Sequence, residues 1–171
     1  AYNNVNSMYS TDFANITTLT QSYVFYNLFY KCSALYKAPL LPATTLSNAC
    51  YASMFASCTN LVEPPVLLSP TLATNCYAGM FLACTSLTKS PELPATDLKS
   101  SCYYWMFRSC SAIIEVRCAA LNPPDGQSSF ASCCSDWLSG ASTSGTFYAN
   151  PDAVWPSNTS GIPSGWTRSS L

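Results

Sequence analysis

Ten cysteines and no histidine bound the chemistry open to this chain of 171 residues. Seven of the cysteines stand in two columns that recur every 26 residues: Cys32, Cys58, Cys84 and Cys110, and Cys50, Cys76 and Cys102. Within a unit the columns lie eight residues apart, as in Cys50 and Cys58. On a helix that spacing separates the two thiols by roughly 12 Å along the axis, whereas a disulfide needs Cα atoms within about 7 Å. Zinc sites favour knuckles of about two to four residues, often with histidine. No metal is therefore expected, and the columns read as small buried hydrophobes. Cys118, Cys133 and Cys134 break the period. A bridge from Cys118 to Cys133, closing the terminal loop, is the disulfide candidate, beside free thiols.

The carboxylates Asp12, Glu63, Glu92, Asp97, Glu115, Asp125, Asp136 and Asp152 are scattered along the chain. A glycosidase holds two carboxyl groups roughly 5 to 9.5 Å apart across a cleft, and Glu63 and Glu92, offset by 29, share no column. There is no histidine for general base work and no glycine-rich phosphate loop. No catalytic residue and no cofactor is expected, and the chain is read as not an enzyme. Binding has better material. Phe25, Tyr51, Tyr77 and Tyr103 form an aromatic column, thickened by Tyr104 and Trp105. Tyrosine and tryptophan faces stack on sugar rings or anchor a protein partner, which makes Tyr51, Tyr77, Tyr103, Tyr104 and Trp105 the candidate binding residues. The competing reading is that these rings seal the core between units. Ser33, Thr59, Thr85 and Ser111 form a further column, read as satisfying turn backbone.

These side chains need a scaffold, and the 26-residue interval supplies it. Phe29, Phe55, Phe81 and Phe107 share a column, as do Leu35, Leu61 and Leu87, and Met54, Met80 and Met106. A kept apolar pattern at such an interval marks a solenoid. Pro39, Pro65 and Pro91 keep the first part of each unit from being a regular central strand. After the turn, Thr96 or Asp97 is placed to cap a helix whose face carries Leu98, Cys102 and Met106 at i, i+4 and i+8. The expected unit is extended segment, turn, short helix ending near Met106, and turn. Residues 1–28 read as a degenerate capping unit, 29–113 as the repeats, and 114–171 as a strand, a loop at Asn122–Gly126 and a small β-rich cap anchored by Phe147, Trp155 and Trp166. The period is expected to stop after Ile113.

Charged residues make up only 9% of the chain, with seven basic and eight acidic side chains. No field of either sign draws nucleic acid or anionic lipid. No apolar run approaches the ~20 residues that cross a bilayer. The chain opens at Ala1 without a signal-like leader, which is expected to reflect processing or truncation.

The run Leu93-Pro94-Ala95-Thr96-Asp97-Leu98 with Cys102-Tyr103, Met106-Phe107 and Cys110 resembles the BspA-like leucine-rich repeats. So does Leu41-Pro42-Ala43-Thr44-Thr45-Leu46 with Cys50-Tyr51, Met54-Phe55 and Cys58. The stretches Asp136–Gly140, Ser144–Phe147 and Ser160–Thr167 are similar to that family's ending. Two departures stand out: Pro70 is displaced from the usual turn position, and Ala119–Ala131 is unlike the common linker. The resemblance implies an α/β fold class, a leucine-rich-repeat solenoid of about four units with a helix in each. It also implies a surface-exposed place, on a bacterial cell of the Bacteroides type or on a phage virion, and brings no catalytic residue. The expected function is a non-catalytic, extracellular recognition or adhesion module for a glycan or a cell-surface protein. The alternative is a structural virion component, a decoration or fibre domain contacting a virion protein. Homo-oligomers fit either role.

Overall fold

The structure, a computed structural model, describes residues 15–123 and 132–171. Among the described residues there is no helix. That overturns the helix-bearing leucine-rich-repeat architecture. In its place each unit carries a ribbon of consecutive turns, over 22–31, 48–57, 74–83, 100–109 and 132–140. Backbone N–H groups along a ribbon alternate between two targets. Ala52, Met54, Ala56 and Cys58 donate three residues back, to Ala49, Tyr51, Ser53 and Phe55. Their neighbours Tyr51, Ser53, Phe55 and Ser57 donate to the next coil, to the carbonyls of Cys76, Ala78, Met80 and Leu82. A helix would direct every N–H to its own i−4 carbonyl and leave nothing for the neighbour.

The geometry that permits this has a period of four. Ala49, Ser53 and Ser57 have φ of 52°, 53° and 61°, and Asn75, Gly79 and Ala83 repeat the pattern at 56°, 59° and 58°. Each left-handed residue is the second central residue of every other turn, as in a type II turn. A left-handed non-glycine residue costs roughly 1–2 kcal/mol, offset here by the hydrogen bonds to the next coil. The period also explains the apolar stripe. In a 3.6-residue helix, positions four apart drift about 40° per step, so Leu98, Cys102, Met106 and Cys110 would spread around the cylinder. In the ribbon all four are buried together.

On the opposite side the units pair as parallel strands. The sheet runs β1 (Lys89–Leu93), β2 (Glu115–Cys118), β3 (Gly145–Ala149) and β4 (Trp166–Ser170), each next to its successor. Isolated parallel bridges, Lys37 to Glu63 and Leu41 to Leu67, carry the pairing into the earlier coils at an interval of 26, and Thr18 to Thr45 does so at 27. Those segments stay short because Pro39 and Pro65 lack the donor that a ladder needs. Even β1 shifts register between Lys89 and Glu92, around Pro91. The stacking does not stop at Ile113, as the sequence period suggested. Glu115 pairs with Thr146 at an interval of 31, and Gly145 with Trp166 at 21. The loop expected at Asn122–Gly126 falls largely outside the described residues.

Two ladders of rings fill the core. Phe29, Phe55, Phe81 and Phe107 stack at centroid distances of 5.5, 5.7 and 5.6 Å, with interplanar angles no greater than 11°. Phe25, Tyr51, Tyr77 and Tyr103 stack beside them at 5.4, 5.8 and 6.1 Å. Both ladders end on one side chain: the Trp137 indole lies 6.1 Å from Tyr103 and 6.1 Å from Phe107. Trp155 covers its other side at 5.5 Å, and Trp137 Nε1 donates to the Gly161 carbonyl.

Candidate functional site

The cysteine columns belong to the core. Cys58, Cys84 and Cys110 donate their S–H to the carbonyls of Phe29, Phe55 and Phe81 at 3.0, 3.1 and 2.9 Å. Each thiol thus ties its coil to the one before. Burial pushes the Cys50 thiol up to about 11 and those of Cys102 and Cys110 to about 12. Nucleophiles and metal ligands need the thiolate, and burial works against it here. Cys118 and Cys133, the disulfide candidate, are not joined by a disulfide and are wholly buried. Burial holds the Cys118 thiol at about 12, with the neighbouring Cys133 adding to the rise. Among the described residues no group of three or more His, Cys, Asp or Glu is placed to hold a metal. No helix among them is long and apolar enough to cross a membrane.

The carboxylates divide between pairs and surface. Lys37, Glu63, Lys89 and Glu115 occupy one column with alternating charge. Lys37 Nζ lies 2.7 Å from Glu63, and Lys89 Nζ 3.3 Å from Glu115. Such exposed pairs stabilise by about 0.2–1 kcal/mol. Their larger effect is on register, since slipping by one coil would set like charges side by side. Arg117 Nε stands 2.6 Å from Glu92 Oε1, an ion pair without hydrogen-bond alignment, and Lys99 pairs with Asp97 at 3.8 Å. Asp136 accepts a bond from Thr159. Asp12 and Asp125 lie outside the described residues.

Three of the five candidate binding residues are inside. Tyr51, Tyr77 and Tyr103 are at most 2% exposed and face their stacked neighbours, so no ligand reaches their rings. The core-sealing reading of that column is the one the geometry carries. Tyr104 and Trp105 are different: both are half-buried and line an open cleft of about 300 Å³ on the ribbon side.

The cleft follows from three columns read across four coils. One column runs Tyr26, Ala52, Ala78, Tyr104; the next runs Asn27, Ser53, Gly79, Trp105; the third runs Tyr23, Ala49, Asn75, Ser101. In these columns the central coils contribute small side chains, and the outer coils contribute Tyr23, Tyr26, Tyr104 and Trp105 beside Asn27 and Ser101. Ala49, Ala52, Ser53, Asn75, Ala78 and Gly79 make the floor. Tyr23 and Tyr26, edge to face at 5.7 Å, form one wall, with Tyr104 and Trp105 three coil steps away, about 14 Å at sheet spacing. Sequence reasoning looked one column too early, at 25, 51, 77 and 103, and missed Tyr23 and Tyr26. The large-small-small-large order of Tyr26, Ala52, Ala78 and Tyr104 was the available signal.

Both walls carry strain. Tyr23 and Trp105 have φ of 62° and 54°, a conformation that bulky side chains rarely adopt. Trp105 also has two close neighbours: the Tyr104 ring stacks on it at 4.4 Å and the Arg108 guanidinium lies 4.5 Å from its centroid. The aromatic side chains that line the cleft are Tyr23, Tyr26, Tyr104 and Trp105. No carboxylate among the described residues lines it.

Comparison of the chain with protein families, with curated proteins and with solved structures gives no match.

Proposed function

We propose that the protein is a non-catalytic recognition module that binds a glycan in the cleft between its two aromatic walls. One observation carries the reading: in these columns the central coils carry small side chains, while Tyr23 and Tyr26 stand in one outer coil and Tyr104 and Trp105 in the other. Sugar rings present flat faces of C–H groups that stack on aromatic side chains, and hydroxyl rims that bond to small polar groups. Tyr23, Tyr26 and Tyr104 supply the first, and Ser53 and Asn75 on the floor supply the second. The width between the walls suits about two pyranose rings. The uncharged, hydroxyl-rich composition and the BspA-like resemblance support a place outside the cell, on a bacterial surface or a phage particle.

The test uses a substitution that the fold already tolerates. Tyr26 and Tyr104 occupy the Ala78 position in their own coils, so Ala78→Tyr fills the cleft and continues an existing column. We expect folded wild-type protein to bind on a glycan array and Ala78→Tyr, with unchanged melting, to lose that binding. Absence of glycan binding by the folded wild type, or equal binding by both, refutes the proposal.

A further inference from the structure

We infer that the glycan taken by this cleft is N-acetylated, and that its acetamido group enters a notch above Gly79. This rests on the glycan reading above and names the class of its ligand. Neither backbone nor packing requires a glycine at this position. The φ of Gly79, 59°, is shared by Asn27, Ser53 and Trp105 in the same column, at 57°, 53° and 54°, so the left-handed backbone here admits side chains. A Cβ on Gly79 would meet the Ser53 Oγ at 3.1 Å, a hydroxyl that can turn aside, and the Leu82 Cβ at 4.0 Å, an ordinary contact. What a side chain would remove is room in the cleft, which Gly79, Ser53 and Leu82 all line.

The sides of the notch set the chemistry of what fills it. Ser53 stands one coil before Gly79 and offers a hydroxyl; Asn75, four residues earlier in a ribbon of period four, offers an amide to the same cleft. Neither side chain hydrogen-bonds to a described residue, so both are open to a ligand. Leu82 supplies an apolar flank. Trp105 follows in the column one coil further on, about 5 Å away at sheet spacing. No charged side chain among the described residues lines the cleft, which favours a neutral group. An acetamido group answers each side: its carbonyl accepts from the Ser53 hydroxyl, its N–H donates to the Asn75 side-chain oxygen, and its methyl covers Leu82. A sugar ring against the Tyr104 and Trp105 wall carries that group inward over Gly79. A hydroxyl on the same sugar carbon offers one polar atom and no methyl, and a site with polar groups left unpaired discriminates against such a ligand.

The test compares N-acetylated chito-oligosaccharides with cello-oligosaccharides of the same length, by titration calorimetry on the full chain. The two share ring and linkage and differ only in a hydroxyl where the first carries its acetamido group. We expect the N-acetylated ligand to bind more tightly by about tenfold or more. Gly79→Ala puts a methyl in the notch, at a φ that Ala49 and Ala83 already hold, and should cut that preference to about twofold. Ser53→Ala keeps the space, removes the hydroxyl and should cut the preference about fivefold. Asn27→Ala, in the same column but outside the cleft, should leave the preference untouched. Equal or weaker binding of the N-acetylated ligand, or a preference that survives either cleft substitution in a cooperatively melting protein, overturns the N-acetyl assignment and leaves the glycan reading standing. Should Gly79→Ala not fold, Ser53→Ala decides alone. Absence of binding to every saccharide overturns both.

Discussion

Tyr103→Phe should make this protein more stable. Tyr103 is completely buried between Tyr77 and Trp137, at 6.1 Å from each ring, and its hydroxyl has no hydrogen-bond partner among the described residues. An unsatisfied buried hydroxyl costs about 1–3 kcal/mol, and removing it while keeping the ring recovers most of that. On the usual per-residue scale a domain of 171 residues unfolds with an entropy of about 360 cal/mol/K, so each kcal/mol moves Tm by about 3 °C. The expected rise is about 3–8 °C, read by scanning calorimetry and checked as a higher urea midpoint at unchanged m-value. Tyr103→Leu is the control: it breaks the ring ladder and should lower Tm. A fall in Tm for Tyr103→Phe would show that the hydroxyl is satisfied, and would refute the reasoning.

Two further outcomes follow from the core. Trp137→Ala removes the side chain on which both ring ladders end, together with its bond to Gly161; it should cost about 3–5 kcal/mol, seen as a collapse of the urea midpoint, whereas Trp137→Phe should retain part of the loss. Burial holds the thiols of Cys102, Cys110 and Cys118 at about 12, against 9.0 for an unburied thiol. The unfolded chain releases those protons from about pH 9 while the fold retains them, so stability is complete below that pH and falls as pH rises toward 12, by about 4 kcal/mol per pH unit for three thiols. A circular dichroism titration should show cooperative unfolding in that window, and a fold that persists unchanged to pH 12 would contradict the buried-thiol account.

How much was legible in the sequence depended on which interval was read. The 26-residue interval is a register between neighbouring coils, and Lys37 facing Glu63 or Phe55 stacking on Phe81 could be aligned from it directly. The local conformation was not, because a stripe at i, i+4 and i+8 was assigned to a helix. Extending the stripe one step to Cys58, Cys84 and Cys110, with Tyr51 and Phe55 buried alongside, would have exposed a strict period of four that a 3.6-residue helix cannot hold over a dozen residues. The fifth coil was hidden by its length. Ser132-Cys133 takes the place of Ser101-Cys102 only at an interval of 31, which a fixed-interval search passes over. Trp137, the keystone of the core, was missed for that reason. The left-handed residues left no compositional trace, since Ala, Ser, Asn and Lys fill them where Gly would be expected.

The cleft shows how such a fold separates scaffold from function. Core columns repeat one residue type because each ring or thiol must fit the copy above and below it. Floor and wall positions escape that constraint, so a departure there is not demanded by stacking. In the left-handed column containing Asn27, Ser53 and Gly79, the fourth coil carries Trp105. The neighbouring coils prove that the backbone needs no aromatic ring at this point, and a bulky residue adds strain there. What Trp105 gains is contact with Tyr104 and with Arg108. A wall that is costlier than the fold requires is best understood by the aromatic surface it presents to the cleft.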